Sequence, residues 1–145
     1  MLVIIPLTAI TPGLIDLERE ASGQAFKFVS RLVEDWRTGA NRFDKAGERL
    51  LVASRGGKVV GVGGLNVDPY VSSARIARLR HLYVADEFRR RGVGEALVLA
   101  LLDGAEQHFD KVRLRTDTSA AACFYLRLGF EAVDDATASH ARMLD

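Results

Sequence analysis

RHLYVADEFRRRGVGEALVLALL, from Arg80 to Leu102, joins three patterns in one run. Arg75 to Val84 alternates Leu79, His81 and Tyr83 against Arg80, Leu82 and Val84, the period of two expected of a strand. Ala85 to Arg91 is polar and basic. Gly92-Val93-Gly94 then opens a predicted helix whose apolar face is Leu97, Val98, Leu101, Leu102 and Ala105. A strand, an arginine-rich turn and a helix start make an anion site. The first N–H groups of a helix have no internal partner and point beyond its N-terminus. Gly92 and Gly94 keep side chains away from those amides, and Arg89, Arg90 and Arg91 bring positive charge. A dinucleotide fingerprint would need a third glycine where Leu97 stands, and a Gly-Lys-Ser/Thr phosphate loop is absent. Gly61-Val62-Gly63-Gly64 lies inside a strand pattern and opens no helix.

Outward from this run, the N-terminal MLVIIPLTAI reads as a first strand, since its apolar stretch breaks at Pro6 and no basic segment precedes it. Ala25 to Trp36 places Phe26, Val29, Leu32, Val33 and Trp36 at helical spacing. Asn41 to Gly47 is a loop. Glu48 to Arg55 and Lys58 to Asn66 form a predicted hairpin about Gly56-Gly57, and Gly61, Gly63 and Gly64 point to a bulge or a close approach of backbone. Val112 to Thr116 is a strand, Ser119 to Leu128 a helix with Gly129 as its left-handed stop, and Phe130 to Val133 with Ala138 to Leu144 a final antiparallel pair. The order strand, helix, three strands, helix, strand, helix, strands predicts an α/β (α+β) fold with a mixed sheet.

Composition narrows the function. The 145 residues carry Lys+Arg 20 against Asp+Glu 19, a net charge of +1, with 48% hydrophobic and 27% charged residues. One domain over residues 1–145 is expected at this length, and the balanced charge argues against a general nucleic-acid binder. A single cysteine, Cys123, and the lack of a signal-peptide pattern suggest a cytoplasmic setting. No segment reaches the roughly 20 apolar residues of a membrane-spanning helix, so no membrane partner is expected. The histidines His81, His108 and His140 are scattered without metal-ligand spacing, so no metal is expected. Cys123, within the predicted last helix, reads as a small buried hydrophobe and not a nucleophile.

The sequence resembles the GCN5-related N-acetyltransferase (GNAT) family. Arg89-Arg90-Arg91-Gly92-Val93-Gly94 fits the family's [Arg/Gln]-x-x-Gly-x-[Gly/Ala] signature, and Leu82-Tyr83-Val84 looks like its acetyl-CoA strand. Ala121-Ala122-Cys123-Phe124-Tyr125-Leu126-Arg127-Leu128-Gly129-Phe130 looks like its A-x-x-F-Y-x-x-x-G-F ending. The resemblance covers roughly the second half of the chain and implies a mixed, mostly antiparallel sheet flanked by helices, with one splayed strand. It implies acetyl-CoA as co-substrate. The pantetheine arm would bond to the main chain of Leu82, Tyr83 and Val84 like an added strand, and the pyrophosphate would fall at the amides of Arg91, Gly92, Val93, Gly94 and Glu95. Arginine side chains at 89–91 would reach the remaining phosphate. Tyr125 would protonate the departing thiolate.

Two departures from the family pattern matter. Thr118 stands where many members carry Asn at the start of the last helix; it can cap that helix and offer a hydroxyl to the cofactor. The acetyl-CoA strand carries Arg75, Arg78, Arg80 and His81 but no carboxylate, so His81 is the candidate general base, with Glu48 and Asp68 as fallbacks. The expected activity is direct acetyl transfer to a primary amine in a ternary complex, the acceptor being a small molecule or a peptide. A non-catalytic acyl-CoA-binding regulatory module and an Arg-rich RNA-binding module are the alternatives, and a homodimer stays open. The alternate strand arginines suggest an acidic acceptor or a wet sheet face.

Overall fold

Thr11-Pro12 starts the first helix for local reasons: the Thr11 side chain accepts a hydrogen bond from Leu14 N at 3.3 Å, and Pro12 occupies the first turn. This helix, α1 (Pro12–Gly23), buries Leu14, Leu17 and Ala21. Apolar spacing alone does not predict this helix, because charged residues interrupt its stripe; its local signal is the Thr-Pro start. The next helix, α2 (Phe28–Thr38), begins later than the apolar spacing suggests. Ala25 adopts φ 65 in the connection, a left-handed conformation that no helix continues through. Gly39, at φ 82, ends α2.

The computed structural model describes residues 1–145. It contains β1 (Leu2–Pro6), β2 (Arg49–Arg55), β3 (Lys58–Val67), β4 (Ile76–Val84), α3 (Val93–Leu102), β5 (Lys111–Leu114), α4 (Ser119–Arg127), β6 (Glu131–Ala132) and β7 (His140–Met143). They form one seven-stranded sheet in the order β1-β2-β3-β4-β5-β7-β6, antiparallel throughout except for β4 beside β5. The expected mixed, mostly antiparallel sheet flanked by helices is what the chain adopts. A core of 30 buried residues draws on every helix and on β2 to β5.

Glycines in β3 allow close packing on both faces. A Cβ on Gly61 would stand 2.9 Å from Leu97 Cδ1, and one on Gly63 would stand 3.1 Å from Leu101 Cδ1, both on α3. Gly64 faces the other side, where a Cβ would lie 2.5 Å from the Phe43 ring. The close approach anticipated for this glycine cluster is present, and so is a bulge.

The bulge lies across from these glycines. The β3–β4 register slips between Val62 and Gly64, so that Gly64 faces Arg80 while Val62 faces Tyr83. His81 takes φ 60, a conformation disfavoured for a residue with a Cβ. The slip corrects the simple alternation expected for this strand. Arg80 and Tyr83 share the α2 face with Gly64 and Val62, whereas Leu79 and Val84 look toward α3. On its other edge β4 pairs with β5 only over Ile76, Ala77 and Arg78. From Leu79 to Val84 it has no strand beside it, and this is the expected splay.

Candidate active site

At the end of β4 the chain makes a single 3₁₀ turn, Asp86–Phe88, and reaches α3 through residues of alternating handedness. Arg89 is extended, Arg90 has φ 63 and Gly92 φ 81. Such a path turns successive N–H groups inward to form a cradle for an anion. The main-chain N–H groups from Arg90 to Glu95 have no acceptor in the protein, and the first bond of the helix is Ala96 N to Gly92 O at 3.0 Å. A Cβ on Gly92 would meet nothing within 4 Å, so the cradle is open.

Three elements converge on Gly94. Its Cβ position lies 3.4 Å from Phe124 Cζ on α4 and 3.6 Å from Val84 Cγ2 at the end of β4. The strand end, the helix start and the Phe124-Tyr125 pair, separate in sequence, therefore share one corner. Tyr125 is buried between Phe124 and Phe130, with ring centroids 5.0 and 5.6 Å away, both edge-on. Its hydroxyl makes no hydrogen bond to the protein yet is not sealed from solvent. Burial raises its pKa above the usual phenol value. Thr118 caps α4, its hydroxyl accepting from Ala121 N at 3.2 Å.

The arginines separate into two kinds. Arg89 turns back: Nε donates to Val84 O at 3.0 Å and the other nitrogens reach Asp86 and Gln24 at 3.1 and 2.9 Å, with the guanidinium over the Tyr83 ring. Arg90 and Arg91 are exposed, and Arg91 lies over the Phe88 ring at 5.6 Å. Phosphate contact from the Arg89 side chain therefore does not fit this geometry, because its donors are already used. Tyr83 also faces inward, its hydroxyl donating to Glu20. Burial, followed by the carboxylate of Glu20, pushes that phenol up to about 12. Glu20 and Gln24 belong to α1, so the missed helix is what anchors this corner.

Residues 46–132 match the family model described as an acetyltransferase (GNAT) domain. The chain belongs to the GNAT family. Along nearly its whole length it superposes on a proposed acetyltransferase from Exiguobacterium sp. 255-15, with TM-score 0.87, 27% identity and coverage of 99% of this chain and 93% of that one. It also shares the fold of the GNAT family N-acetyltransferase YhbS from Escherichia coli, solved in complex with CoA, with TM-score 0.72, 20% identity and coverage of 99% and 82%. Human N-acetyltransferase 8 is 38% identical over 89 residues, which are 59% of this chain and 39% of that protein. The GNAT domain described here thus spans about two fifths of the curated relatives it matches.

The candidate base stands apart from the cradle of this GNAT domain. His81 is 8% exposed, edge-on to Phe43 at 6.1 Å, with neither ring nitrogen hydrogen-bonded. Burial first, and then the Arg80 charge, push its pKa down to about 3. The expectation that His81 takes a proton from the acceptor does not fit this setting, because an imidazolium there would be unsolvated and beside a cation. Between pH 6.5 and 3 the unfolded chain binds a proton at His81 that the native state refuses, so acid favours unfolding. Native stability is expected to fall by about 1.4 kcal/mol per pH unit from this residue alone. Urea unfolding at pH 7, 6, 5 and 4 should show this slope flattened by that amount in His81→Asn, which keeps a left-handed backbone accessible. Equal slopes would show that His81 titrates normally.

The fallback Asp68 is also taken. It is buried between Arg113 at 3.1 Å and Arg78 at 3.5 Å. Both arginines go on to hold Thr137, and Arg113 reaches Asp135 at 3.0 Å, pinning the β6–β7 connection to the sheet. Glu48 ties the loop before β2 to the end of β3, accepting from Lys45 N at 3.1 Å and Val67 N at 2.7 Å. Cys123 is exposed, against the expectation of burial, because its side of α4 faces outward. No group of three His, Cys, Asp or Glu side chains is placed to hold a metal ion. No helix is long and apolar enough to cross a membrane.

Proposed function

We propose that this GNAT domain transfers an acetyl group from acetyl-CoA to a primary amine by direct attack in a ternary complex. The observation that carries the reading is the run of free amides from Arg90 to Glu95 beside the unpaired edge of β4. Amides in this arrangement hold a pyrophosphate without side-chain help, and an unpaired strand edge suits the amide-bearing pantetheine arm. The complex of YhbS with CoA supports the assignment by analogy of fold. Arg90, Arg91 and the Thr118 hydroxyl are the side chains free to add contacts; Arg89 contributes through its main chain. Val84 N–H remains available, whereas Val84 O is occupied by Arg89.

Bound acetyl-CoA supplies an activated thioester carbonyl. The residues of the chain do the rest. Main-chain donors on the free edge of β4 would polarise that carbonyl; as the neutral amine attacks and the C–S bond breaks, Tyr125 gives its proton to the leaving sulfur, and the proton lost by the amine nitrogen restores the phenol. Donation from a buried phenol is uphill, but the same apolar corner raises the thiol's pKa as well, which narrows the gap. The proposal gives His81 no part in proton transfer.

Calorimetric titration with acetyl-CoA, followed by steady-state acetylation of an amine panel, tests the reading. Micromolar binding with turnover supports it. Binding without turnover on any amine points to a regulatory module instead, and no binding at millimolar ligand overturns the assignment.

A further inference from the structure

Arginine faces arginine where β4 and β5 part. The parallel ladder ends on the pair Arg78 with Arg113; continued by two residues on each strand, it would set Arg80 against Arg115. Like charges directly opposite one another destabilise a sheet. The two pairs differ in what lies between them. Asp68, 1% exposed and one residue beyond β3, places a single oxygen, Oδ2, on both arginines of the closed pair, 3.5 Å from Arg78 and 3.1 Å from Arg113. Its own N–H donates to Ile76 O at 2.9 Å, and its Oδ1 accepts from Tyr70 N at 2.8 Å, so the carboxylate is fixed from both sides. Arg80 and Arg115 share no acid. Arg115 has the exposed Asp117 at 3.7 Å and donates to Ala136 O at 3.0 Å, while the half-buried Arg80 has no ion pair. The ladder thus stops at the last neutralised pair.

Where it stops matters to the candidate site. β5 leads through residues 115–118 directly into α4, so a shift of β5 carries α4 with it. Phe124, which meets the Gly94 position at 3.4 Å, and Tyr125 beside it move with that helix. The width between the free edge of β4 and Tyr125 is therefore governed at the fork.

We propose that Asp68 is a positioning residue that fixes where this opening begins. By neutralising Arg78 and Arg113 together it holds the strands closed up to that pair, and the uncompensated charges of Arg80 and Arg115 hold them apart beyond it. That the opening receives acetyl-CoA is the acetyltransferase reading, on which this inference rests. A packing role and a charge role for Asp68 make opposite predictions. If Asp68 only fills space and bonds its neighbours, removing Arg78 as well adds a second loss to Asp68→Asn. If it offsets two cations, removing one of them repairs the first loss, because Arg113 keeps Asp135 at 3.0 Å.

The test measures acetyl-CoA affinity by calorimetry and amide hydrogen exchange at residues 76–78 and 111–113. It compares the wild type, Asp68→Asn, Arg78→Gln and the double variant. Asp68→Asn is expected to bind acetyl-CoA at least about tenfold more weakly and to exchange faster along the β4–β5 ladder. The double variant is expected to return to within about threefold of Arg78→Gln on both measures. Where Asp68→Asn does not fold, the double variant set against Arg78→Gln decides by itself. A larger gap between those two, failure of either to fold, or an Asp68→Asn protein equal to the wild type would overturn the inference. A wild type that does not bind acetyl-CoA would bring down the acetyltransferase reading alone, since the exchange rates still report whether Asp68 closes the fork.

Discussion

Acetyl-CoA binding is expected to weaken by at least about a hundredfold in Gly92→Glu, equivalent to about 2.7 kcal/mol. Two effects act together. Gly92 has φ 81, which costs a residue with a Cβ about 1–2 kcal/mol, and the new carboxylate would stand beside amides assigned to a pyrophosphate, where like charges cost several kcal/mol. Gly92→Asn separates the two. Asn tolerates the left-handed region and carries no charge, and no atom lies within 4 Å of its Cβ position. Calorimetry on both variants should therefore show binding kept within about tenfold in Gly92→Asn and lost in Gly92→Glu. Equal affinity in wild type and Gly92→Glu would remove the phosphates from this helix start.

Tyr125→Phe is expected to lower kcat by about a hundredfold or more, the usual contribution of a positioned general acid, with little change in KM for acetyl-CoA. The variant isolates chemistry from packing. The hydroxyl makes no hydrogen bond to the protein, and the ring alone fills the space between Phe124 and Phe130. Stability should consequently stay within about 0.5 kcal/mol of wild type, measured by urea unfolding. A kcat equal to wild type would take Tyr125 out of the mechanism.

The legible parts of this protein were local. The strand, turn and helix of Arg80 to Leu102 could be read because period two gives way to a helical stripe at Gly92. Gly129, at φ 88, ends α4 as its position in the sequence suggests. The hairpin about Gly56-Gly57 also forms as read. What failed locally was α1, whose apolar residues are diluted by charge, and whose absence from the reading hid the anchors of Tyr83 and Arg89. Cys123 is exposed where burial is expected, because helix position alone does not tell which side of α4 meets the core.

The fate of each charged residue was not legible, since it depends on partners far away in the chain. Arg78 and Arg80 differ by two positions and share a face, yet one is neutralised by Asp68 and the other is left open. His81 is the one histidine on the strand, yet burial and the neighbouring Arg80 charge make its protonation unfavourable. The sequence by itself determined the family, the glycine-rich turn before α3 and every element type but α1, because these rest on short-range periodicity, capping and backbone freedom. Only the tertiary structure decided which arginine stays free, which histidine stays neutral and which polar atoms lack partners. Desolvation and ion pairing act across space, between residues as distant as Asp68 and Arg113, and no local pattern encodes them.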